Sequence, residues 1–457
     1  MFPIVRLPTP VASPATWGVA AWLLCLTGPL ASSAAFAQER AVLTDAPSGT
    51  HAVTLTVAAK GTITPRHGAD PLPAEVRATY RFHTRPLPVE GEGPTGRRSV
   101  RYYDAAGSEL TVGPQPTYAR LRGSRRMVVA TGMPVGTSVL SPGGPLRYGE
   151  LELLGTPLDP LLVGGLLPTG SVSEGDDWEP ADWVGPALAG VEAVGENQLR
   201  CKLTALTDAE ARGTFRGKIA GATDGASLTV TFDGTFAYDR AAKAITAATL
   251  NQTVEGSPGP ISPGVNLAFK ASLTRTPEPD AGPLDAAALR TAADAVRTPE
   301  QIEAAERVEL VTPWGTRAEL DRDWRFVNQS AKAAVVVRMD RGAPAIVATL
   351  TPLDDAEEGA EPDAAAFERR VRLTLEKAPG TIETTASLDL PNAEDAGRAL
   401  LLVRVSGKDA AGDPQNRDHY LLADGPKRAE IVFAYPPNRE AEVGELAFPL
   451  LDAVRWR

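Results

Sequence analysis

Apolar and polar side chains alternate with a period of two from residue 50 to about residue 276. The clearest runs are Val53–Val57, Val76–His83 and Leu228–Phe232, and they end in turn-forming residues such as Asp224-Gly225. This period is that of a strand, whose successive side chains point to opposite faces of a sheet. Regularly spaced strands with tight turns are typical of an antiparallel meander. We therefore predict a β-rich antiparallel domain over residues 38–276, folded as a curved sheet or half-barrel.

The pattern changes after residue 276. Residues 277–307 form a Pro-rich linker with short helices, one of which begins at the capping sequence Thr298-Pro-Glu-Gln301. Downstream, strand-like runs mix with an amphipathic helix at Pro362–Lys377 and a final helix that carries Val443, Leu446 and Leu450. This order predicts an α+β domain over residues 308–457, and the whole chain is predicted to be α+β.

The N-terminus is typical of an export signal. An apolar stretch runs from Trp17 to Leu30, and Ala35-Phe36-Ala37 is the small-x-small pattern that signal peptidase recognises. We predict a signal peptide over residues 1–37 and a soluble periplasmic or extracellular protein that begins at Gln38. Cys25 follows the bulky Leu24, which argues against lipid modification. After the signal, no sequence segment is apolar enough to predict a membrane-spanning helix.

Charge and cysteine content narrow the function further. The formal net charge is −11 at pH 7, which disfavours the phosphate contacts of a general nucleic-acid binder. Cys201 is the one cysteine that follows the predicted cleavage site, so an intramolecular disulfide is excluded. It alternates with charged neighbours on the apolar side of Leu199–Leu203, which predicts a buried structural thiol rather than a nucleophile.

Motifs for catalysis and for metals are missing from the sequence. The four histidines (His51, His67, His83 and His419) are far apart, so they lack the spacing of a zinc site. Gly-x-Ser-x-Gly and the phosphate-binding Gly-x-x-x-x-Gly-Lys do not occur. We predict no cofactor and no catalytic residue, while a triad assembled from distant residues stays open.

Two groups of side chains are candidates for a ligand or anion surface. Two tryptophans five residues apart either stack on a sugar or ligand, or seal one end of the sheet, and the second interpretation is favoured. A set of arginines alternates with apolar residues and either forms a solvated sheet face or docks an anionic envelope polymer or lipid headgroup. The candidate residues are Trp178, Trp183, Arg98, Arg101, Arg120 and Arg122.

Two resemblances rest on short segments. Arg317–Trp324 and Val335–Gly342 resemble the first strand and the following hairpin of the Mog1/PsbP-like α/β/α sandwich, over roughly residues 308–457. The whole chain resembles a family of uncharacterised secreted proteins of planctomycete bacteria, through Leu166-Leu-Pro168, Gly175-Asp-Asp-Trp178 and the Leu199–Leu203 strand. The resemblance implies an exported protein and brings no activity, and most proteins of the sandwich fold are non-enzymatic binding or assembly factors.

Two functions follow as hypotheses. The first is an exported, non-catalytic binding or scaffold protein of the bacterial cell envelope, which holds an apolar ligand or a protein partner and binds no nucleic acid. A concave, open apolar sheet favours ligand carriage, whereas a filled interior favours protein contacts. The alternative is an envelope hydrolase with a site between the two domains, which needs His419 or a carboxylate pair in a cleft.

Overall fold

A computed structural model describes residues 39–88, 93–376, 378–389 and 398–456 of the chain. Of these residues, 53% lie in strands and 17% in helices, so the predicted α+β class is wrong and the protein is mainly β. The predicted signal peptide and its cleavage site lie outside the described residues.

The N-terminal half, residues 39–278, consists of long strands with three short helices between the eighth and the eleventh strand. Its elements are β1 (Ala41–Val42), β2 (Thr50–Thr64), β3 (Leu72–Leu87), β4 (Arg98–Val112), β5 (Gln115–Arg120), β6 (Met127–Met133), β7 (Gly136–Leu140), β8 (Leu146–Arg147), α1 (Tyr148–Leu154), α2 (Pro160–Val163), β9 (Ser171–Val172), β10 (Asp177–Trp178), α3 (Val184–Ala189), β11 (Ala193–Leu206), β12 (Glu210–Thr223), β13 (Ala226–Asp239), β14 (Ala244–Gly256) and β15 (Gly264–Glu278).

Most of these strands form one twelve-stranded sheet. Its order is β10-β11-β12-β13-β14-β15-β2-β3-β4-β6-β7, and β5 pairs with β4 beside β6. Neighbouring strands are antiparallel, as in Val53↔Phe82 between β2 and β3. The strand β15 returns to β2, so the first and last long strands of this half meet in the middle of the sheet.

One face of this sheet carries the main hydrophobic core. The alternation in β2 buries Val53 and Leu55 and exposes Thr54 and Thr56, as the period of two predicts. The helical segment α1–α3 packs against this apolar face, where Leu154, Val163 and Leu188 are buried. The apolar face is therefore filled by the protein's own side chains.

Two linker helices, α4 (Ala286–Asp294) and α5 (Pro299–Glu306), join the halves. The predicted capping box at the start of α5 is confirmed, because the Thr298 side chain accepts from the Gln301 backbone and Gln301 reaches back to the Thr298 backbone. Leu284 and Ala292 pack with Val100 and Val129, so α4 covers the end of the large sheet.

The C-terminal half, from residue 308, contains a second large antiparallel sheet. Its elements are β16 (Val308–Val311), β17 (Thr316–Leu320), β18 (Trp324–Gln329), β19 (Ala334–Asp340), β20 (Ala343–Pro352), α6 (Ala364–Leu375), β21 (Gly380–Leu388), β22 (Arg398–Lys408), β23 (Pro414–Asp424), β24 (Lys427–Tyr435), α7 (Glu440–Ala453) and β25 (Arg455–Trp456). The seven-stranded sheet has the order β18-β19-β20-β24-β23-β22-β21.

This half shows no clear Mog1/PsbP-like α/β/α sandwich, because strands dominate it even though helices lie on both faces of its large sheet. Within the described residues, each face of the seven-stranded sheet carries a single helix. Phe367 and Val371 of α6 pack on the face that includes Val403, and α7 packs on the face that includes Leu400 and Leu402. Three further strands of this half, β16, β17 and β25, belong to a separate sheet.

A four-stranded sheet of order β25-β17-β16-β8 joins the two halves. In it, β8 of the N-terminal half runs parallel to β16, with Leu146 opposite Val308. The division into domains at residues 276 and 308 stays a prediction. Among the described residues, no helix combines the length and the apolar character that crossing a membrane requires.

Candidate functional site in the cleft between the halves

A cleft of about 1010 Å³ lies between the two halves. The N-terminal half contributes β5, α1 and the loop around Ile261–Pro263, and the C-terminal half contributes β16 and β18. We call it the inter-half cleft. It has the size of a small-molecule or peptide site, and side chains from both halves reach it.

Two strand edges border this cleft. The strand β5 pairs with β4 alone, and β18 is the first strand of the seven-stranded sheet and pairs with β19 alone, as far as the described residues show. A strand edge presents backbone N–H and C=O groups that lack a neighbouring strand. On β18, the Trp324 carbonyl accepts a hydrogen bond of 3.0 Å from the Tyr148 hydroxyl. Arg325, Phe326, Val327 and Gln329 of β18 also line the cleft.

A bulge interrupts β18 inside the cleft. The pairing with β19 moves from Phe326↔Val336 directly to Asn328↔Val335, so Val327 has no partner residue in β19. Phe326 and Val327 are half-buried and line the cleft. The bulge therefore places an unpaired backbone position and two apolar side chains beside the cleft.

An ion-pair network forms the base of the cleft. Arg122 donates to Glu150 at 2.8 and 2.7 Å and to Glu309 at 2.6 Å, and Arg147 donates to Glu309 at 3.2 Å. Desolvation opposes the charged form of Glu150 and Glu309, but their arginine partners outweigh it and lower the pKa of both carboxyl groups. These carboxylates are therefore ionised and engaged in holding the halves together.

Three other side chains of the cleft are available to a ligand. Tyr118 on β5 is 63% exposed. Arg120 is exposed and has no hydrogen bond or ion pair within the described part of the chain. Glu152 is exposed, and partial desolvation by the surrounding protein raises the pKa of its carboxyl group. The cleft thus offers an aromatic ring, a guanidinium and a carboxyl group next to two strand edges.

The four arginines singled out from the sequence lie in three different settings. Arg120 and Arg122 line the inter-half cleft. Arg98 is half-buried and donates to the Thr131 hydroxyl at 3.1 Å. Arg101 is not part of an exposed surface, because its side chain is 1% exposed and pairs with Asp159. The structure therefore does not bring the four together as one surface.

The two tryptophans are half-buried in the N-terminal half. The Trp178 indole donates to the Leu166 carbonyl at 2.9 Å and meets the Phe236 ring edge-on, at 6.4 Å between centroids. Trp183 has the Arg97 guanidinium 5.9 Å from its ring centroid. These contacts hold the α2–α3 segment against the sheet, away from the cleft lining.

His419, which the hydrolase hypothesis requires, lies elsewhere. It is 5% exposed, and its Nδ1 is 2.9 Å from Glu430, which also binds Arg370 of α6. Its Nε2 has no hydrogen-bond partner within the described residues. The described residues also contain no group of three His, Cys, Asp or Glu side chains placed to hold a metal ion.

Sequence reasoning identified Arg120 and Arg122 but not Tyr118, Glu152 or β18. The segment 115–120 is short and polar and carries no strand alternation that would mark it as part of a site. The cleft forms by pairing between residues far apart in the chain, such as Leu146 and Val308. A single sequence carries no local signal for such a juxtaposition.

Comparisons with known proteins leave the family undefined. No protein-family model and no curated protein matches the chain. A solved structure from Bacteroides thetaiotaomicron VPI-5482 is similar over 33% of this chain and 48% of its own, with 11% identity and a TM-score of 0.24. Lipovitellin is similar over 51% of this chain and 25% of its own, with 9% identity and a TM-score of 0.27.

A third similar structure is DynF from the dynemicin biosynthesis pathway of Micromonospora chersina. The similarity spans 54% of this chain and 89% of DynF, with 9% identity and a TM-score of 0.14. The chain thus spans less than half of each of the first two structures, and at these TM-scores the similarities define neither fold nor function. What is established is a mainly β protein with two large antiparallel sheets.

Proposed function

We propose that this chain is an exported, non-catalytic binding protein of the bacterial cell envelope, whose inter-half cleft holds an extended segment of a protein partner. The segment adds to the free edge of β18 as a further strand. The observation that carries the proposal is that the edges of β5 and β18 border one cleft. Strand addition is a common mode of peptide recognition, in which backbone hydrogen bonds supply affinity and side-chain pockets supply specificity.

The side chains of the cleft suit an extended peptide. Phe326 and Val327 give an apolar strip beside the β18 edge, and Tyr118 adds an exposed aromatic ring. Arg120 and Glu152 can pair with charged residues of the partner. Successive residues of a strand point to opposite faces of the sheet, so the side chains of a segment paired with β18 would lie alternately on the two faces of the extended sheet.

The filled core favours a protein partner over an apolar ligand. Leu154, Val163 and Leu188 of the helical segment occupy the apolar face of the large sheet and are at most 2% exposed. The space on this face is therefore taken by the protein's own core, which leaves no apolar site there for a lipid among the described residues.

The test uses a bulge residue with a matched control. Val327→Pro removes a backbone N–H at a bulge position that has no partner residue in β19, and bulges are among the strand positions where Pro is tolerated. Val327→Ala keeps the N–H and shortens the side chain. Peptides selected from a random display library against the full protein would be measured by fluorescence anisotropy against the wild type and both variants.

We expect Val327→Pro to abolish peptide binding and Val327→Ala to retain it. Tyr118→Ala should weaken peptide binding about tenfold, because it removes an exposed aromatic contact. Hydrogen exchange on the complex should slow at residues 324–329. Equal binding by Val327→Pro and the wild type, or protection confined to another strand, would refute strand addition. N-terminal sequencing of the exported protein tests the location and should find Gln38 first.

A second candidate, the envelope hydrolase, is favoured by one observation. Glu152 lines the inter-half cleft, and desolvation raises the pKa of its carboxyl group, which is the direction that favours a general acid. Mass spectrometry of a selected peptide after incubation with the protein distinguishes the two functions. An intact peptide supports binding alone, whereas cleavage that Glu152→Gln abolishes supports the hydrolase.

A further inference from the structure

A second, smaller cavity of about 450 Å³ opens where β5 and β6 both leave β4. The strand β4 pairs with β6 through residues 98–102 and with β5 through residues 107–112, which leaves a gap between the two. Backbone hydrogen bonds frame this gap: Tyr103 N donates to Arg126 O at 2.9 Å and Leu121 N donates to Ala106 O at 3.2 Å. The opening is therefore held by the sheet itself.

Three arginines line this cavity, which we call the arginine pocket. They are Arg81 on β3, Arg120 at the end of β5 and Arg126 just before β6. All three are exposed, and none has a side-chain hydrogen bond or an ion pair within the described ranges. By contrast, Arg325 near the junction of the halves is paired with Glu192 and Asp224.

The acidic residue of the pocket is already engaged. Asp104 is 3.0 Å from His83 Nε2, and the other ring nitrogen of His83 is 2.7 Å from Glu278. Both contacts form together when the imidazole is a cation. The charge of His83, rather than that of an arginine, therefore neutralises the Asp104 carboxylate. In a protein of net charge −11, the pocket concentrates positive charge that its own side chains do not neutralise.

We infer that the arginine pocket binds a phosphate group. Each guanidinium presents a planar set of N–H donors that matches phosphate oxygens. A phosphate monoester carries about −1.5 to −2 charge and three strong acceptor oxygens, so each oxygen can face one arginine. A carboxylate has one charge and two oxygens, so it neutralises less of the charge of three arginines than a phosphate does. The Thr79 hydroxyl, also in the lining, is a further donor.

This site is independent of the proposed peptide cleft, except that Arg120 lines both cavities. Arg81 and Arg126 line the arginine pocket and not the inter-half cleft. The informative variants are therefore Arg81→Gln and Arg126→Gln, and they should leave peptide binding unchanged. Arg290→Gln on α4, which replaces an exposed arginine that lines neither cavity, serves as the matched control.

Calorimetric titration of the full protein at constant ionic strength would compare inorganic phosphate with acetate. Sedimentation with vesicles of phosphatidylglycerol in phosphatidylcholine would test a lipid headgroup as the source of the phosphate. We expect saturable phosphate binding by the wild type. Arg81→Gln and Arg126→Gln should each weaken it at least tenfold, because each variant loses a hydrogen bond between charged groups. Arg290→Gln should bind phosphate like the wild type.

Binding of free phosphate without vesicle binding assigns the pocket to a soluble phosphate compound. Vesicle binding that Arg81→Gln abolishes assigns it to a phospholipid headgroup. Equal affinity for acetate and phosphate, equal losses in Arg290→Gln, or no binding to either phosphate source would overturn the inference. Because Arg81 and Arg126 do not line the inter-half cleft, each of these results is separate from success or failure of the peptide experiment.

Discussion

Arg101 and Asp159 form a doubly hydrogen-bonded ion pair in the core of the N-terminal half. The guanidinium donates to the two carboxylate oxygens at 2.7 and 2.5 Å, and both side chains are 1% exposed. Asp159 also caps α2 by accepting from Leu161 N at 2.9 Å. The pair thus connects β4 to the helical segment that fills the apolar face of the large sheet.

We expect Arg101→Met to destabilise the protein by about 3–5 kcal/mol, because it leaves the Asp159 carboxylate buried without its partner. Combining Arg101→Met with Asp159→Asn should cost less than the sum of the two single changes, since no unpaired charge remains. Urea unfolding followed by tryptophan fluorescence measures all three variants. Strict additivity would show that the two side chains do not stabilise each other.

The position of Arg101 also shows where sequence reasoning stops. Alternation along β4 predicts one buried and one solvated face, yet Val100 and Arg101 are 0% and 1% exposed. Val100 packs under α4 and Arg101 faces α2, so both faces of this strand are covered. The covering elements lie about 60 and 190 residues away in the chain, and the alternation of β4 itself carries no information about them.

Local signals are sufficient for many individual elements. The strand Lys427–Tyr435 and the capping box at Thr298 are present as expected, because alternation and side-chain caps depend on near neighbours. The four-stranded sheet that joins the halves, and the cleft beside it, depend on the pairing of Leu146 with Val308. That pairing links distant segments, so neither the cleft nor its two strand edges could be derived from periodicity.

Cys201 is expected to be inert in the folded protein. It is 1% exposed on the core face of β11, and desolvation raises the pKa of its thiol to about 12. In a protein expressed from Gln38 it is the one thiol, so a thiol reagent should label it after denaturation and not before. Cys201→Ser should cost about 1–3 kcal/mol by burying a hydroxyl. Rapid labelling of the native protein would contradict the burial.

His83 should make stability depend on pH. Desolvation favours the neutral ring, but hydrogen bonds and charge from Glu278 and Asp104 outweigh it and raise the pKa above 6.5. The stabilisation is therefore complete below about pH 6.5 and is lost as the pH rises through the folded-state pKa. We expect His83→Asn to cost roughly 0.5–1 kcal/mol at pH 6 and little at pH 9.

NMR titration of the imidazole protons checks this directly. His51 offers an internal contrast, because desolvation first and the charge of Arg275 second lower its pKa. The two rings should titrate on opposite sides of pH 6.5. A His83 midpoint below 6.5, or an equal cost of His83→Asn at both pH values, would count against the ion-pair assignment.

Gly225 should be intolerant of any side chain. It has φ +76°, and an added Cβ would lie 1.9 Å from the Gly342 carbonyl oxygen of the C-terminal half. Gly113 is the matched control, since its φ is +61° but nothing lies within 4 Å of its Cβ position. Both alanine variants carry the strain of positive φ, and Gly225→Ala should be about 1 kcal/mol worse through the clash. Equal unfolding free energies would mean that the two hairpin tips do not touch in solution.

The C-terminal half should fold without the N-terminal half when expressed from residue 305. The buried residues of its two hydrophobic clusters all lie between Leu310 and Val454, so its core needs no buried side chain from the other half. The fragment loses the pairing of β16 with β8 and the Tyr148–Trp324 hydrogen bond, which lie at its edge. Its size of about 150 residues is typical of an independent domain.

Helix α7 provides the mutational test of this fragment. Leu450 is 2% exposed against the seven-stranded sheet, whereas Leu446 is only half-buried. Leu450→Ala should therefore destabilise the fragment by about 2–5 kcal/mol through cavity formation, and Leu446→Ala by less. Urea unfolding of the fragment and of both variants measures these costs. A fragment that is unfolded while the full chain is stable would show that the two halves share one cooperative core, because the truncation removes contacts across the junction, including that of Tyr148, and keeps the buried residues of both C-terminal clusters.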